Sequence, residues 1–244
     1  MSMNIIDGNN FFRKTVSVGS DARSILNSFF QPGIETIVVW DGERGSQRRR
    51  NVYPQYKTNR KPLDKDISFH FGMLVKVLSH CNVTQVFHND YEGDDVIAAL
   101  ARDYAGQGRK LHIESTDADF LQIKAEFPDL VTVTAGGKVD PRLTKLYKIW
   151  VGDPADKISG IPMFGPSKWD EFSHSELQRL VDHALKHGEI IDIGLPKAVK
   201  PTVEMIRALD EIISFYPVPV SELTIVPGVP NYAAADTYLK EFFI

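Results

Sequence analysis

Short apolar runs that end in an acidic residue recur along the first half of the chain. Asn4-Ile5-Ile6 leads into Asp7-Gly8, and Thr36-Ile37-Val38-Val39-Trp40 leads into Asp41-Gly42. Val83 to Phe87 is a third apolar run, Lys110 to Glu114 a fourth, and Leu130 to Thr134, followed by the turn Ala135-Gly136-Gly137-Lys138, a fifth. Each has strand length and β-branched content. Between them lie patterns with a helical period, at Ser20–Phe30 (stopped by Pro32-Gly33), Ile67–Leu78, and Glu92 to about Gly106. Strands alternating with helices predict an α/β fold with a mainly parallel central sheet. In such sheets ligands bind at the carboxyl ends of the strands. Asp7, Asp41, and the pair Asp117 and Asp119 after the fourth strand all belong to that end. Any one of them alone reads equally well as an Asx turn.

The stretch Glu92-Gly93-Asp94-Asp95 opens the third helix with three carboxylates, followed by the apolar Val96-Ile97-Ala98-Ala99-Leu100. The helix dipole favours negative charge in the first turn. Three like charges also repel one another, and a hard divalent cation such as Mg²⁺, which takes carboxylate oxygens and water, relieves that repulsion. A solvated acidic helix start is the plain alternative.

From Lys145 onward the pattern turns mostly helical, which divides the chain into an α/β core at 1–144 and a helical region at 145–244. Asp153 with Pro154 predicts an N-cap and a first helical position. Ile158 to Trp169, carrying Gly160, Gly165, Pro166 and Lys168, reads as a helix–hairpin–helix. Its glycines permit close approach to a ligand, and its amides with Lys168 suit a phosphate. Ser173 and Glu176 predict a capping box, and further helices are expected near Thr202–Tyr216 and Ala233–Phe243.

The segment 43–67 has little apolar periodicity and is too long for a plain connection, so it predicts a functional loop. It carries Arg48-Arg49-Arg50, Lys57, Arg60, Lys61 and Lys65, interleaved with Tyr53 and Tyr56. The cations fit a phosphate backbone, and the tyrosines fit either base stacking or packing.

Composition narrows the choice. A chain of 244 residues that is 43% hydrophobic buries a sizeable core. The single cysteine, Cys81, excludes a disulfide framework and a cysteine-based zinc site, and suits the cytoplasm. No apolar run reaches membrane-spanning length, and the first residues lack a signal-peptide pattern. His183 and His187 have the i, i+4 spacing of a metal pair, but no third ligand accompanies them. The net charge of −4 argues against a nucleic-acid partner only if charge is spread evenly, and here it is not.

Taken in order, these pieces resemble the 5′ nuclease family. That family comprises flap endonucleases and 5′–3′ exonucleases, including phage enzymes and the 5′ nuclease domain of bacterial DNA polymerase I. The resemblance rests on Glu92-Gly93-Asp94-Asp95, on Ser115-Thr116-Asp117-Ala118-Asp119, and on Gly152-Asp153-Pro154-Ala155-Asp156 with its glycine hairpin. Tyr53-Pro54-Gln55-Tyr56-Lys57-Thr58-Asn59-Arg60 resembles the basic motif that precedes the family's arch. The resemblance implies an acidic cluster of Asp7, Asp41, Glu92, Asp94, Asp95, Asp117, Asp119, Asp153 and Asp156. Setting these nine aside turns the net charge from −4 to +5. It also implies two Mg²⁺ ions, with Mn²⁺ as a substitute, and a helix–three-turn–helix that grips duplex phosphates and often K⁺. Lys157 and Ser159 depart from the Asn and Pro usual in that hairpin, and the segment from Arg60 to Ile67 is short for a threaded arch.

On this reading Asp7, Asp41, Glu92 and Asp94 go with one metal. Asp117, Asp119 and Asp153 go with the other, with Asp156 near it and Asp95 orienting a neighbouring ligand. Lys57 and Arg60 meet the scissile phosphate. Arg48, Arg49, Arg50, Tyr56, Lys61, Gly160, Gly165 and Lys168 join them in binding DNA. The expected partners are DNA with 5′ ends, flaps or nicks, and RNA/DNA hybrids, bound by a monomer. Two rival functions are a PIN-like Mg²⁺-dependent ribonuclease and a non-catalytic DNA-binding relative. The hairpin argues against the first, and massed negative charge facing phosphates argues against the second.

Overall fold

The computed structural model describes residues 3–18, 33–60 and 65–242. The expected helix at Ser20–Phe30 and the basic residue Lys61 lie outside the described residues. The described residues form two compact units. The first lies within Met1–Gly45, Pro62–Gly136 and Tyr216–Ile244, and the second within Ser46–Lys61 and Gly137–Phe215.

The first unit is built on a sheet of order β5-β4-β1-β2-β3-β6. Strands β1 (Met3–Asp7), β2 (Glu35–Val39), β3 (Thr84–Phe87), β4 (Leu111–Glu114) and β5 (Val131–Val133) run parallel. These are the five apolar runs read from the sequence, with ends shifted by a residue or so. β6 (Thr224–Pro227) pairs antiparallel with β3 at the sheet edge, inside a region whose pattern predicts helix. It has only four residues, all exposed, and ends in a proline that only an edge strand tolerates.

Helix α1 (Gly8–Val18) begins directly at the end of β1, where the sequence suggests a turn. The Asp7 carboxylate accepts from Asn10 N at 2.9 Å, so the Asx-type bond starts a helix instead of reversing the chain. A short helix α2 (Gln47–Val52) stands within the basic segment. The helices α3 (Lys65–Ser79) and α4 (Gly93–Gly106) follow, with α5 (Leu121–Glu126) after β4. The core of this unit gathers Ile6, Phe12, Val38, Trp40, Leu74, Leu78, Ala235 and Leu239. The last two come from α10 (Tyr232–Phe242), which packs on α3.

The second unit is helical, with α6 (Thr144–Val151), α7 (Pro166–Glu171), α8 (His174–His187) and α9 (Val203–Ile213). Trp150, Leu177, Leu180, Ile206 and Leu209 form its centre. Full burial of each such side chain is worth about 2 kcal/mol, which fixes the helices around it. Thr202 caps α9 through Met205 N at 3.2 Å. The capping box expected before α8 does not form. Ser173 Oγ pairs with Ser175 Oγ at 2.8 Å, and Glu176 turns to Arg179. Among the described residues, no helix is long and apolar enough to cross a membrane.

Candidate metal centre and nucleic-acid interface

The strand order reverses between β4 and β1, because β2 and β3 follow on one side and β5 lies on the other. A crevice at such a switch point is where α/β sheets bind ligands. The register sets Ile6 beside Glu114 and Asp7 beside Val39, so Asp7, Ser115 and Asp41 emerge at one end of neighbouring strands.

Asp7 is the most constrained of them. It is 7% exposed and accepts from Ser115 Oγ at 2.9 Å as well as from Asn10 N. Burial raises its pKa to about 6; the two hydrogen bonds pull it down, and the charges of Asp41 and Asp117 push it up again. Asp41 is exposed, accepts from Gly93 N at 2.7 Å, and donates its own N–H to Asn9 Oδ1 at 2.9 Å. The glycine after it is required by space. A Cβ on Gly42 would come within 2.0 Å of the His88 carbonyl oxygen. Asp117 accepts from Asp119 N at 2.9 Å, capping the turn Ala118–Phe120, and its own N–H donates to Ser115 Oγ at 3.1 Å. Glu92 is buried at the N-cap of α4, and Asp94 is half-buried in its first turn. Asp95 is fully buried and accepts from Tyr216 N at 2.8 Å, a structural role that suits a residue behind the ligands.

Among the described residues, no three His, Cys, Asp or Glu side chains are grouped so as to hold one metal ion. Like charges repel, and several of these acids take local donors instead: Asp7 from Ser115, Asp41 from Gly93, Asp117 from Asp119. As a donor set they still fit a hard divalent cation, being carboxylate oxygens at a switch point, one of them buried with an elevated pKa.

The second unit handles its acids differently. Asp153 begins a single turn, Pro154–Asp156, in place of the longer helix expected there, and caps it through Ala155 N at 2.9 Å. Lys148 Nζ of α6 lies 2.6 Å from its carboxylate. Burial pushes the Asp153 carboxyl upward, but Lys148 and the amide hydrogen bonds outweigh it, so its pKa lies below the usual range. Asp153 and Ile158 exchange backbone hydrogen bonds at 2.7 and 2.8 Å. This loop closes because Gly152 (φ 92) and Gly160 (φ 65) meet backbone to backbone. A Cβ on Gly160 would lie 2.5 Å from Gly152 N. The close approach that Gly160 permits is thus to its own chain. Gly165, by contrast, faces open space at the start of α7, with the half-buried Lys168 in the following turn.

Asp156 is buried and paired with Arg60 at 2.6 Å and with Lys57 at 3.9 Å. Lys57 N donates to the Asp156 carbonyl at 3.0 Å, and Asn59 Nδ2 donates to the Ala155 carbonyl at 3.1 Å. These bonds tie the basic motif to the acidic turn. Lys57 is itself buried, at φ 53, with its Nζ 4.9 Å from the Tyr56 ring centroid. Tyr56 is 3% exposed and belongs to the core, so it supports Lys57 from beneath and its ring is not offered to a base. Arg49 is also 3% exposed; its guanidinium donates to the Ile212 and Ser214 carbonyls, both at 2.9 Å. It anchors α2 to the end of α9 and is not placed to meet phosphate. Arg48, Arg50 and Arg60 remain on the surface.

Residues 5–145 match the family model described as 5′–3′ exonuclease, N-terminal resolvase-like domain. The chain belongs to the 5′–3′ exonuclease family. It is 29% identical to a flap endonuclease Xni of Shewanella woodyi, over 80% of this chain and 84% of that one. A 5′–3′ exonuclease of Aquifex aeolicus is 25% identical, over 76% of this chain and 67% of its own length. A thermostable DNA polymerase I of Thermus filiformis is 27% identical, but over only 18% of that much longer protein. Among solved structures, a T5 5′-exonuclease with zinc bound superposes with a TM-score of 0.57 at 18% identity, covering 99% of this chain and 98% of that one. That likeness concerns the fold.

Several residues that hold the candidate ligands escape a reading of the sequence. Ser115 holds Asp7, Asn9 holds the backbone of Asp41, and Lys148 holds Asp153. Ser115 and Asn9 sit beside strand-end acids, which is a usable signal. Lys148 is one lysine among several on an amphipathic helix, and nothing in its spacing marks it.

Proposed function

We propose that the protein is a divalent-metal-dependent 5′ nuclease that hydrolyses DNA phosphodiesters. On this reading it acts as a 5′–3′ exonuclease and as a structure-specific flap endonuclease, and accepts RNA/DNA hybrids as well. Asp7 carries the reading: a buried carboxyl at a topological switch point, its pKa raised to about 6 by burial with Asp41 and Asp117 adding to the push. An acid kept there at such a cost is suited to a cation. Asp7, Asp41, Glu92 and Asp94 would hold one Mg²⁺, and Asp117 and Asp119 would contribute to a second. Metal ions so held supply an activated water and relief of charge on the phosphate.

The chain's own groups do the rest. Ser115 and Asn10 orient the Asp7 carboxylate, leaving its outer lone pairs for a ligand. Arg60 and Lys57, held by Asp156, supply positive charge to a phosphate in the transition state. Lys168 and the amides near Gly165 hold duplex phosphates. Arg48 and Arg50 extend the cationic surface of the second unit. The test is cleavage of 5′-flap, nicked and single-stranded DNA with Mg²⁺, with Mn²⁺ and with EDTA. Flap and nicked substrates should be cut only with metal, and full hydrolysis in EDTA would overturn the reading.

A further inference from the structure

Met163 stands in the hairpin between Pro162 and Phe164 with φ 64 and two-thirds of its surface exposed. A left-handed conformation is uncommon outside glycine, asparagine and aspartate, and it is unfavourable for a long apolar residue. With two-thirds of its surface exposed, the residue recovers little of this by packing. The turn is nonetheless firmly placed. Ile161 and Phe164 on either side are 1% and 3% exposed, and the Phe164 ring lies 4.7 Å from that of Trp150. Ile161 N donates to the Trp150 carbonyl at 3.0 Å, and Phe164 N to the Ile161 carbonyl at 3.1 Å. The strained residue is held up by its neighbours and presents a thioether to solvent.

The same turn leads into the half-buried Gly165, where an added side chain would meet nothing within 4 Å, and on to Lys168. An exposed apolar side chain and a half-buried lysine thus lie five residues apart in the chain. The edge of a DNA strand alternates in the same way, with charged phosphate next to the apolar C1′ and C2′ face of deoxyribose. In RNA that face carries a 2′-hydroxyl. Resting on the nuclease reading above, we propose that Met163 is a substrate-contact residue that packs on deoxyribose of the bound duplex and favours DNA over RNA there.

An apolar contact differs from a phosphate contact in one measurable respect: it adds affinity without releasing counterions, so it leaves the salt dependence alone. Binding of a labelled 5′-flap DNA duplex in Ca²⁺ is measured across a salt series, alongside the same duplex with either strand replaced by RNA. Met163→Asn keeps a residue that accepts positive φ, so its Tm should be no lower than the parent's. It should bind the DNA duplex roughly tenfold more weakly, the order expected for losing a buried thioether, with the parent's salt slope. Its preference for DNA over the hybrid should shrink alongside. Met163→Leu should bind within about twofold of the parent, since shape and polarity are kept. Unchanged affinity in Met163→Asn would overturn the proposal, as would a changed salt slope or a lowered Tm. Absence of duplex binding by the parent protein itself would instead count against the nuclease reading.

Discussion

Asp7 and Asp153 are both acids on the edge of burial, and the two units treat them in opposite ways. In the first unit Asp7 is held by neutral donors, Asn10 N and Ser115 Oγ, and its pKa rises to about 6. In the second, Asp153 has Lys148 at 2.6 Å and titrates below the usual range, while Asp156 has Arg60 and Lys57. A hydrogen bond from a neutral group offsets only part of the desolvation of a carboxylate, whereas an adjacent ammonium offsets most of it. The first arrangement leaves an electrostatic demand that a bound cation can meet. The second has already met it from within, and a metal approaching Asp153 competes with Lys148. Metal affinity should therefore be set by the strand ends of the first unit.

The largest effect expected is on chemistry. Asp119→Asn is nearly isosteric and removes one negative charge from the strand-end set. The ground-state complex rests on phosphate contacts elsewhere, so DNA affinity in Ca²⁺ should hold or tighten. The single-turnover rate in Mg²⁺ should fall by about 10²-fold or more, because transition-state charge depends on a correctly held metal. Cleavage at the parent rate would remove Asp119 from the ligands and leave the first unit without its proposed role.

The next effect concerns Asp7 and pH. A carboxyl whose folded pKa is raised from 3.8 to about 6 binds its proton more tightly when folded. Its favourable contribution is present below about pH 4 and is lost as pH rises through 6, amounting to about 3 kcal/mol for a shift of that size. The lowered acids Asp90, Asp140, Asp153 and Glu204 act in the opposite sense and only at more acid pH. Metal-free protein should thus melt lower at pH 7 than at pH 5. Asp7→Asn should flatten that difference in thermal denaturation. Mg²⁺ or Mn²⁺ should restore the parent's Tm at pH 7 far more than the variant's. A parent protein whose metal-free Tm is the same at both pH values would refute the assignment.

Lys148 tests the other side. Both members of the Lys148–Asp153 pair are largely buried, at 12% and 17% side-chain exposure. Lys148→Met leaves a buried carboxylate without its ammonium and should cost about 3 kcal/mol, much of it recovered in the double variant with Asp153→Asn. Denaturant titration of the four proteins measures that coupling. If the single variant loses no stability, the cation is not what holds Asp153, and the contrast between the units dissolves.

The difference between the units also explains what was legible in the sequence. Strand-end acids could be read because each follows a β-branched run whose direction and depth are clear, and Asp7, Asp41 and Asp117 come out at one edge as expected. β6 could not be read. Thr224–Pro227 has neither length nor alternation, and its pairing with β3 is a tertiary fact. Within Arg48-Arg49-Arg50 the three side chains look alike on paper, and only the Ile212 and Ser214 carbonyls distinguish the middle one. Tyr56 likewise reads as a stacking surface until its burial is seen. Local pattern carries the parallel strands of the first unit, whereas β6 and the roles of cations and aromatics in the second depend on contacts between segments distant in sequence.

The smallest effect separates cations that hold the fold from cations that hold DNA. Arg49 satisfies two carbonyl groups at the end of α9, so Arg49→Ala leaves those acceptors short of donors and should lower stability by about 2 kcal/mol. Properly folded, that variant should keep the parent's salt dependence of duplex binding, because the guanidinium never met phosphate. Lys168 is half-buried beside the open Gly165, and its removal should leave the Tm within a degree or so. Lys168→Ala should weaken duplex binding at all sequences alike and reduce the slope of log affinity against log salt by about one. The pair is read from one salt series and one melting curve per variant. A reduced slope in Arg49→Ala, or an unchanged one in Lys168→Ala, would exchange their roles and move the duplex surface of the second unit from the hairpin to α2.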